Sequence, residues 1–594
     1  LRANGAGVLE NAKGRLPLMT VVNSKDKRGL YIILILVGFV TFNVCAADRQ
    51  TALPEDADQQ ENKRPVNQDK YDLSWERLGS VGEPLFKDSD RRRTVPLSLQ
   101  DCIARTLEHN LDLRSGSYDP AIRMADVIQS EAAFDAVFMA SAQFENIDRG
   151  NVESGYITRT IQTNTGISTE RIPTDPFIRQ HDYNYTIALQ KLLPTGGSIE
   201  LAQYLRRLRT DEDRLYLNPY YESSLNLELR QPLLRNFGID VNRASINAAR
   251  NNVGISQQQF ALLAIQTVTE VENNYWTLVY YRQLVNIQEF LLDQYTDINQ
   301  RLIERKILDT DAAIISRSKA QIAQAQADLL SARNNVKNQQ DRLLESINDP
   351  TLQVGELWEI LPQDEPTMLG YQFDREELLE LAMQKRPELI AQRLAMDTTD
   401  IAVGVARNRL LPQLDLLLRQ EMNAPGGGAR PAWSTQNRYD TVNYFMGFSF
   451  KIPLGNRAAQ AGLTKVKLEQ KQEKIRLEDY RQQIRADVNI SLDSTQSAYQ
   501  EIVQQRQAVN SRADNLRSHL AKEESDAKID ANFLFRKIYT QQELGAAYTA
   551  LAQTIRFYNL SIISLQRAQG TLLQYNNIKL AESPEQVGTI KIDK

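Results

Sequence analysis

The sequence predicts an α+β membrane protein in which a transmembrane β-barrel continues into a long α-helical tube. Three features predict this fold: a secretory signal pattern near the N-terminus, strands of alternating polarity, and proline-free helical segments of unusual length. The same order of elements occurs twice along the chain, so we expect two unequal internal repeats.

Composition excludes several function classes. The 594 residues include 70 Lys and Arg against 75 Asp and Glu, which gives a net charge of −5. The sequence therefore lacks the excess of basic residues that is typical of nucleic-acid-binding proteins. His109, His181 and His519 stand far apart, and no phosphate-binding loop, GxSxG or HExxH motif is present. The sequence therefore predicts a protein that is not an enzyme, with no catalytic residue, cofactor or metal site, and it disfavours a periplasmic hydrolase.

The N-terminal region has the pattern of a secretory signal. Lys25, Lys27 and Arg28 precede the apolar run 30–40, and the small-residue stretch 45–47 follows. A membrane-spanning helix needs about 20 apolar residues, so removal of this segment is favoured over anchoring.

Met19 is the expected start of translation, and cleavage is expected near Ala46 or Ala47. The alternative is a lipidated N-terminal Cys45, although Val44 stands where lipoprotein signals have a small residue. After cleavage Cys102 has no cysteine partner, which makes a small buried residue the expected role.

Two landmarks reveal the duplication. Residues 110–113 (NLDL) align with 386–389 (RPEL) at an offset of 276, and residues 231–233 (QPL) align with 452–454 (IPL) at an offset of 221. The first repeat is therefore longer between the landmarks. The predicted divisions are upstream residues and signal peptide 1–47, flexible leader 48–95, first repeat 96–349, connecting segment 350–373, second repeat 374–577 and C-terminal tail 578–594.

The strands are predicted from period-two alternation. In 223–230 the residues Leu225, Leu227 and Leu229 share one face, and 441–452 alternates in the same way. A half-buried soluble sheet would alternate similarly, but the strand lengths, the polar opposite face and the long loops 149–181 and 424–428 favour a membrane barrel. The expected strands are 135–148, 182–193, 197–206, 222–231, 411–422 and 440–452, of which the second and third form an extra hairpin.

The helical hairpins are predicted over 242–348 and 457–577. Residues 242–306 and 458–526 contain no proline, so each implies a helix of roughly 90 Å at about 1.5 Å per residue. Apolar residues in the last segment step by four and three, as in a coiled-coil seam: Leu544, Tyr548, Leu551, Ile555, Tyr558, Ile562 and Leu565. An exported coiled-coil scaffold without a pore remains the alternative, because heptads are expected both in such a scaffold and in a helical tube.

The order of these elements resembles the TolC-like outer-membrane efflux protein family over residues 96–577. The matching phrases are 99–113, 230–234 (RQPLL) with 237–238 (FG), 331–335 (SARNN), and 556–560 (RFYNL) with 570–573 (GTLL). The resemblance implies a homotrimer in the outer membrane, with a shared transmembrane β-barrel and a periplasmic α-helical barrel. It further implies a passive exit duct that contacts outer-membrane lipid, opened and fed by a periplasmic adaptor protein and an inner-membrane transporter.

Two departures from the family pattern remain. Four strands per subunit are usual, so the extra hairpin implies either eighteen strands per trimer or a hairpin folded beside a twelve-stranded barrel. The family's aperture lies at the two helix–helix turns, 305–311 and 526–535, where the usual glycines and acidic pair are replaced. The candidate aperture or adaptor-contact residues are Arg305, Lys306, Asp309, Asp311, Asp526, Asp530, Asn532 and Phe535.

Overall fold

A computed structural model describes the chain within the compact unit Asn67–Lys594. The described residues are Leu73, 75–86, 93–150, 156–164, 166–173, 177–211, 216–304, 312–355, 358–438, 441–524, 531–580 and 590–592. The predicted signal peptide, Met19 and Cys45 lie outside them.

The helices and strands form two successive series, the first from α1 to α7 and the second from β8 to the end of the described residues. The helices are α1 Trp75–Gly79, α2 Leu99–His109, α3 Leu111–Gly116, α4 Tyr118–Glu131, α5 Ile239–Asn242, α6 Ala244–Glu304, α7 Ala312–Ile347, α8 Arg375–Lys385, α9 Pro387–Asn408, α10 Ala429–Gln436, α11 Arg457–Glu524, α12 Ala531–Gln569 and α13 Leu572–Tyr575. The strands are β1 Arg93–Leu97, β2 Ala136–Gly150, β3 Tyr156–Thr163, β4 Gly166–Pro173, β5 Phe177–Leu192, β6 Ser198–Thr210, β7 Tyr220–Pro232, β8 Trp358–Pro362, β9 Gln413–Gly426, β10 Val442–Lys451, β11 Ile578–Leu580 and β12 Ile590–Ile592.

Six strands form one antiparallel sheet in the order β10-β9-β7-β6-β5-β2. Strands of both series meet at β7 and β9, where Leu227 pairs with Gln420 and Leu229 with Leu418. The extra hairpin β5–β6 lies inside this sheet, between β2 and β7, and does not fold beside it.

Both regions expected to be long loops contain secondary structure. Strands β3 and β4 form a separate hairpin between β2 and β5, with Gly166 at a φ of +137° in the tight turn. Few apolar residues mark this hairpin, so the alternation signal is weak. After the glycine-rich loop, α10 packs on β7 and β9, where Gln436 bonds to Gln203 and buried Ser223.

The helices that follow the sheet pack against one another along their lengths. Helices α6 and α11, with 61 and 68 residues, correspond to roughly 90 and 100 Å at about 1.5 Å per residue. Helix α6 packs against α4 and α7 and also against α9 and α12, which both contact α11 as well. The predicted seam of α12 is buried in this layer, with Leu544, Tyr548 and Leu551 at its centre.

Part of the predicted flexible leader is packed against these helices. The ring of Trp75 stacks 6.3 Å from Tyr548, whose hydroxyl donates to the carbonyl of Leu73 at 2.6 Å. Leu78 is buried in the same core. Isolated apolar residues among polar ones give no periodic signal, which is why the sequence alone did not indicate this contact.

Candidate functional site

One face of the six-stranded sheet is largely apolar and exposed, except where α10 packs on Gln203 and Ser223. Because neighbouring strands are in antiparallel register, alternate residues of all six strands project from the same side. Tyr444 of β10 is 78% exposed there. Its exposed companions on this face are Met446, Phe448, Phe450, Leu227, Ile199, Leu201, Tyr185, Ile187, Leu189, Phe138 and Phe144.

The opposite face is polar and carries cross-strand ion pairs. Arg206 donates to Asp182 from Nε and Nη2, and Arg230 donates to Asp415 at 2.6 Å. Arg419 donates to Glu228, its direct partner in the register, at 3.0 Å. Both aspartates are buried although the arginines reach solvent. This face is therefore suited to water, while the other is suited to an apolar medium.

The two outer strands of this sheet keep one unpaired edge each among the described residues. Strand β2 pairs only with β5, and β10 pairs only with β9. Backbone groups along an open edge need partners in an apolar medium, where no water can replace them.

At the opposite end of the long helices, an ion cluster joins the two hairpins. Glu523 of α11 accepts from Lys537 of α12 at 2.7 Å and from Arg301 of α6. Arg301 also pairs with Asp297 at 2.8 Å. Nearby, burial and then the charges of Lys522, Arg536 and Lys537 hold the pKa of His519 below its usual value.

The structure describes only two of the residues predicted for this end. Asn532 is exposed on the first turn of α12, and Phe535 is half-buried with the guanidinium carbon of Arg317 5.2 Å from its ring centre. The other six, Arg305, Lys306, Asp309, Asp311, Asp526 and Asp530, lie outside the described residues. Sequence reasoning missed Glu523, Arg301 and Lys537, since charged residues on an amphipathic helix are usually solvent-facing.

Midway along α6, a fully buried ion pair fixes the N-terminal segment. Arg282, with 0% side-chain exposure, pairs with Glu359 of β8 at 3.2 Å and donates to the carbonyl of Val81 at 3.0 Å and to that of Glu83. Burial lowers the pKa of Arg282, while Glu359 opposes that change. This arginine therefore connects the segment before β1 to the start of the second series.

A buried carboxyl of α6 contacts the C-terminal segment. Glu272 is 2% exposed and accepts from the side-chain amide of Asn576 at 2.8 Å. Burial raises its pKa to about 7, although the bond from Asn576 acts in the opposite direction. Its second oxygen is buried and has no hydrogen-bond partner among the described residues.

Other site types find no support among the residues that the structure describes. No group of three or more potential metal ligands comes together there. Within the same residues, no helix combines the length and apolarity that crossing a membrane requires.

Solved structures share this architecture. The outer-membrane channel CmeC of Campylobacter jejuni superposes with a TM-score of 0.53 at 12% identity, covering 80% of this chain and 86% of that one. The outer membrane protein VceC of Vibrio cholerae gives 0.54 at 14% identity, covering 80% and 96%. The outer membrane channel MtrE of Neisseria gonorrhoeae in its open state gives 0.52 at 15% identity, covering 80% and 89%.

No protein-family model and no curated protein matches the sequence. Identities this low carry information about the fold alone, and the shared fold extends over four fifths of the chain. The chain has the fold of the TolC-like outer-membrane efflux channels.

Proposed function

We propose that the chain is the outer-membrane channel subunit of a multi-component efflux or secretion system, a passive exit duct rather than an enzyme. One observation carries the proposal: a sheet with one exposed apolar face and one ion-paired face continues directly into helices of roughly 90–100 Å. The apolar face would meet outer-membrane lipid, and the helices would extend into the periplasm.

The assembly we propose is a homotrimer. Three copies with six strands each would close the open edges of β2 and β10 in a shared barrel of eighteen strands. The exposed side chains of α11 would pack against α4 of the next copy; Leu468 and Ile475 lie on the first helix and Ile122 on the second. A periplasmic adaptor and an inner-membrane transporter would open and feed the duct.

The periplasmic aperture is proposed at the ends of the helical hairpins. Asp526 and Asp530 from three copies would bring like charges around the axis, where they would repel one another or bind a cation. The other candidate residues are Arg305, Lys306, Asp309, Asp311, Asn532 and Phe535. If the double substitution Asp526→Ala with Asp530→Ala leaves the conductance and its cation dependence unchanged in a planar bilayer, these acids do not form the gate.

The central experiment is imaging of the purified particle with a count of strands. Threefold symmetry, eighteen strands and single-channel conductance in a planar bilayer are expected. Fractionation of cells separates the alternative of an exported coiled-coil scaffold, which high salt would release, from an integral outer-membrane protein, which needs detergent. A monomeric particle without conductance would rule out the duct.

A further inference from the structure

Three turns meet where the sheet joins the helices, and hydrogen bonds hold them together. They are residues 233–238 between β7 and α5, 409–412 between α9 and β9, and 452–456 between β10 and α11. The bonds run from the backbone N–H of Arg235 to the carbonyl of Pro412 at 3.2 Å, from that of Asn236 to Oδ1 of Asn408 at 2.6 Å, and from Nδ2 of Asn456 to the carbonyl of Leu410 at 3.1 Å. These hydrogen bonds therefore link the three turns into one unit, which we call the junction.

Each of these turns places an arginine at one cavity. Arg235 and Arg409 come from the first two turns, and Arg457 follows the third; all three line a cavity of about 840 Å³ between α6, α9 and α11. This volume is in the range, about 300–1,000 Å³, of small-molecule sites.

These three arginines lack counter-charges. None of them forms an ion pair with a described residue, and Nε of Arg235 is buried without a hydrogen-bond partner. Lys465 and the carboxylate of Glu469 also line the cavity, and they pair with each other at 3.8 Å. A buried donor such as Nε of Arg235 is normally satisfied, and Arg409 and Arg457 add two exposed positive charges at the same cavity. An anionic ligand fits this arrangement.

The rest of the cavity wall is largely apolar and continues into the apolar face of the sheet. Ile401 and Val405 of α9 face it from one side, and Leu454 from the turn after β10. Leu454 is 97% exposed and follows Phe450 and Ile452 at alternate positions, both also exposed. A continuous apolar track thus leads from the sheet surface to the three arginines.

We propose that this cavity binds an anionic phospholipid of the inner leaflet, with the phosphate at Arg235, Arg409 and Arg457 and an acyl chain along Leu454 and β10. Guanidinium groups match phosphate oxygens in charge and geometry, and cations beside a membrane favour anionic lipids. A free phosphate would leave the apolar track unused. The inference rests on the proposed function, which places the apolar sheet face in lipid.

The test uses the full purified chain, delipidated in detergent and titrated with phosphatidylglycerol or phosphatidylcholine of the same acyl chains, with bound lipid counted by native mass spectrometry. The wild type is expected to retain phosphatidylglycerol preferentially. The variant Arg235→Gln/Arg409→Gln/Arg457→Gln should lose this preference by about 10-fold or more, since each cation near an anionic surface contributes roughly fivefold.

The matched control is Lys474→Gln/Arg485→Gln/Arg506→Gln, which removes the same charge from exposed positions of α11. It should keep the wild-type preference, and both variants should keep the wild-type oligomer. Equal retention of the two lipids by the wild type, or equal loss in both variants, overturns the proposal. Displacement of the bound lipid by inorganic phosphate alone would also overturn it in favour of a simple anion site.

Flotation with vesicles separates this inference from the proposed function. A chain that floats with neither phosphatidylglycerol nor phosphatidylcholine vesicles is not a membrane protein, so the proposed function fails and the lipid site with it. A chain that floats with both and shows no lipid preference in mass spectrometry overturns the lipid site alone.

Discussion

Lys537 of α12 donates a 2.7 Å hydrogen bond to Glu523 of α11 although its side chain has no solvent exposure. The same carboxylate accepts from Arg301 of α6, so one acid bridges the hairpins of both series. Glu523 is a counter-charge to both cations at once, and this makes it a sensitive position at this end of the helices.

Glu523→Gln should loosen the contact between the hairpins. Removing one partner of a buried ion pair typically costs about 3–5 kcal/mol, because the buried cation loses a counter-charge. We expect a lower apparent unfolding temperature in detergent and a higher single-channel conductance in a planar bilayer. Glu478→Gln is the control, since its pair with Arg481 lies on the surface. Unchanged conductance and stability in Glu523→Gln would show that this contact does not restrain the helix ends.

Glu359→Gln should release the N-terminal segment from α6. Arg282 would keep its bonds to the carbonyls of Val81 and Glu83 but would lose its counter-charge at 0% exposure. A loss of about 3–5 kcal/mol is expected, together with faster protease cleavage before β1. The control Glu289→Gln breaks only a half-exposed pair with Arg333, and its cleavage rate should match the wild type. Equal cleavage of both variants would contradict the prediction.

Glu272 should make stability depend on pH. Its folded-state pKa of about 7 lies above the ordinary value of 4.5, so the folded state binds the proton more tightly than the unfolded state. The stabilisation is complete below about pH 4.5 and is lost as the pH rises through about 7, with a total of up to about 3 kcal/mol.

Glu272→Gln should remove this dependence, because the amide stays neutral and its oxygen can still accept from Asn576. Apparent unfolding temperatures at about pH 5 and about pH 8 provide the measurement. The exposed Glu270→Gln is the control and should keep the wild-type difference between the two values. A variant whose pH dependence equals that of the wild type would exclude Glu272 as the source.

Strong periodicity accounts for what the sequence predicts well. Polar and apolar residues alternate along most of strand β10, and the apolar residues of the α12 seam are spaced by four and three over several turns. In both elements this spacing indicates which face packs against an apolar surface. The hairpin β3–β4 and helix α10 lack such patterns. Docking of Trp75 on Tyr548 depends on one ring meeting another far away in the chain, which no local pattern indicates.

The candidate sites, too, are only partly predictable from the sequence. The resemblance predicts helix–helix turns at 305–311 and 526–535, and the described helices end and begin beside them, at Glu304 and Ala312 and at Glu524 and Ala531. The sequence does not predict which charged residues meet there, because Glu523 has the same sequence pattern as the surface acids of α11. The junction arginines Arg235, Arg409 and Arg457 are far apart in sequence, and only the hydrogen-bonded turns bring them to one cavity.

Gly196→Ala tests whether the extra hairpin is an integral part of the sheet. Gly196 has a φ of +91° in the turn between β5 and β6, and a Cβ there would lie 2.2 Å from the carbonyl oxygen of Asn236. This backbone oxygen belongs to the turn after β7, which also contacts the hairpin turn through a bond from Gly238 to Thr195. The substitution should therefore disturb both turns, with a loss of about 1–3 kcal/mol from strain alone.

Gly404→Ala is the matched control, because nothing lies within 4 Å of a Cβ at that position of α9. Alanine favours a helix over glycine by about 1 kcal/mol, so this variant should be as stable as the wild type or slightly more stable. Yield of the folded oligomer and its apparent unfolding temperature distinguish the two. If Gly196→Ala assembles as well and is as stable as Gly404→Ala, the hairpin turn tolerates displacement and the predicted coupling between the two turns is wrong.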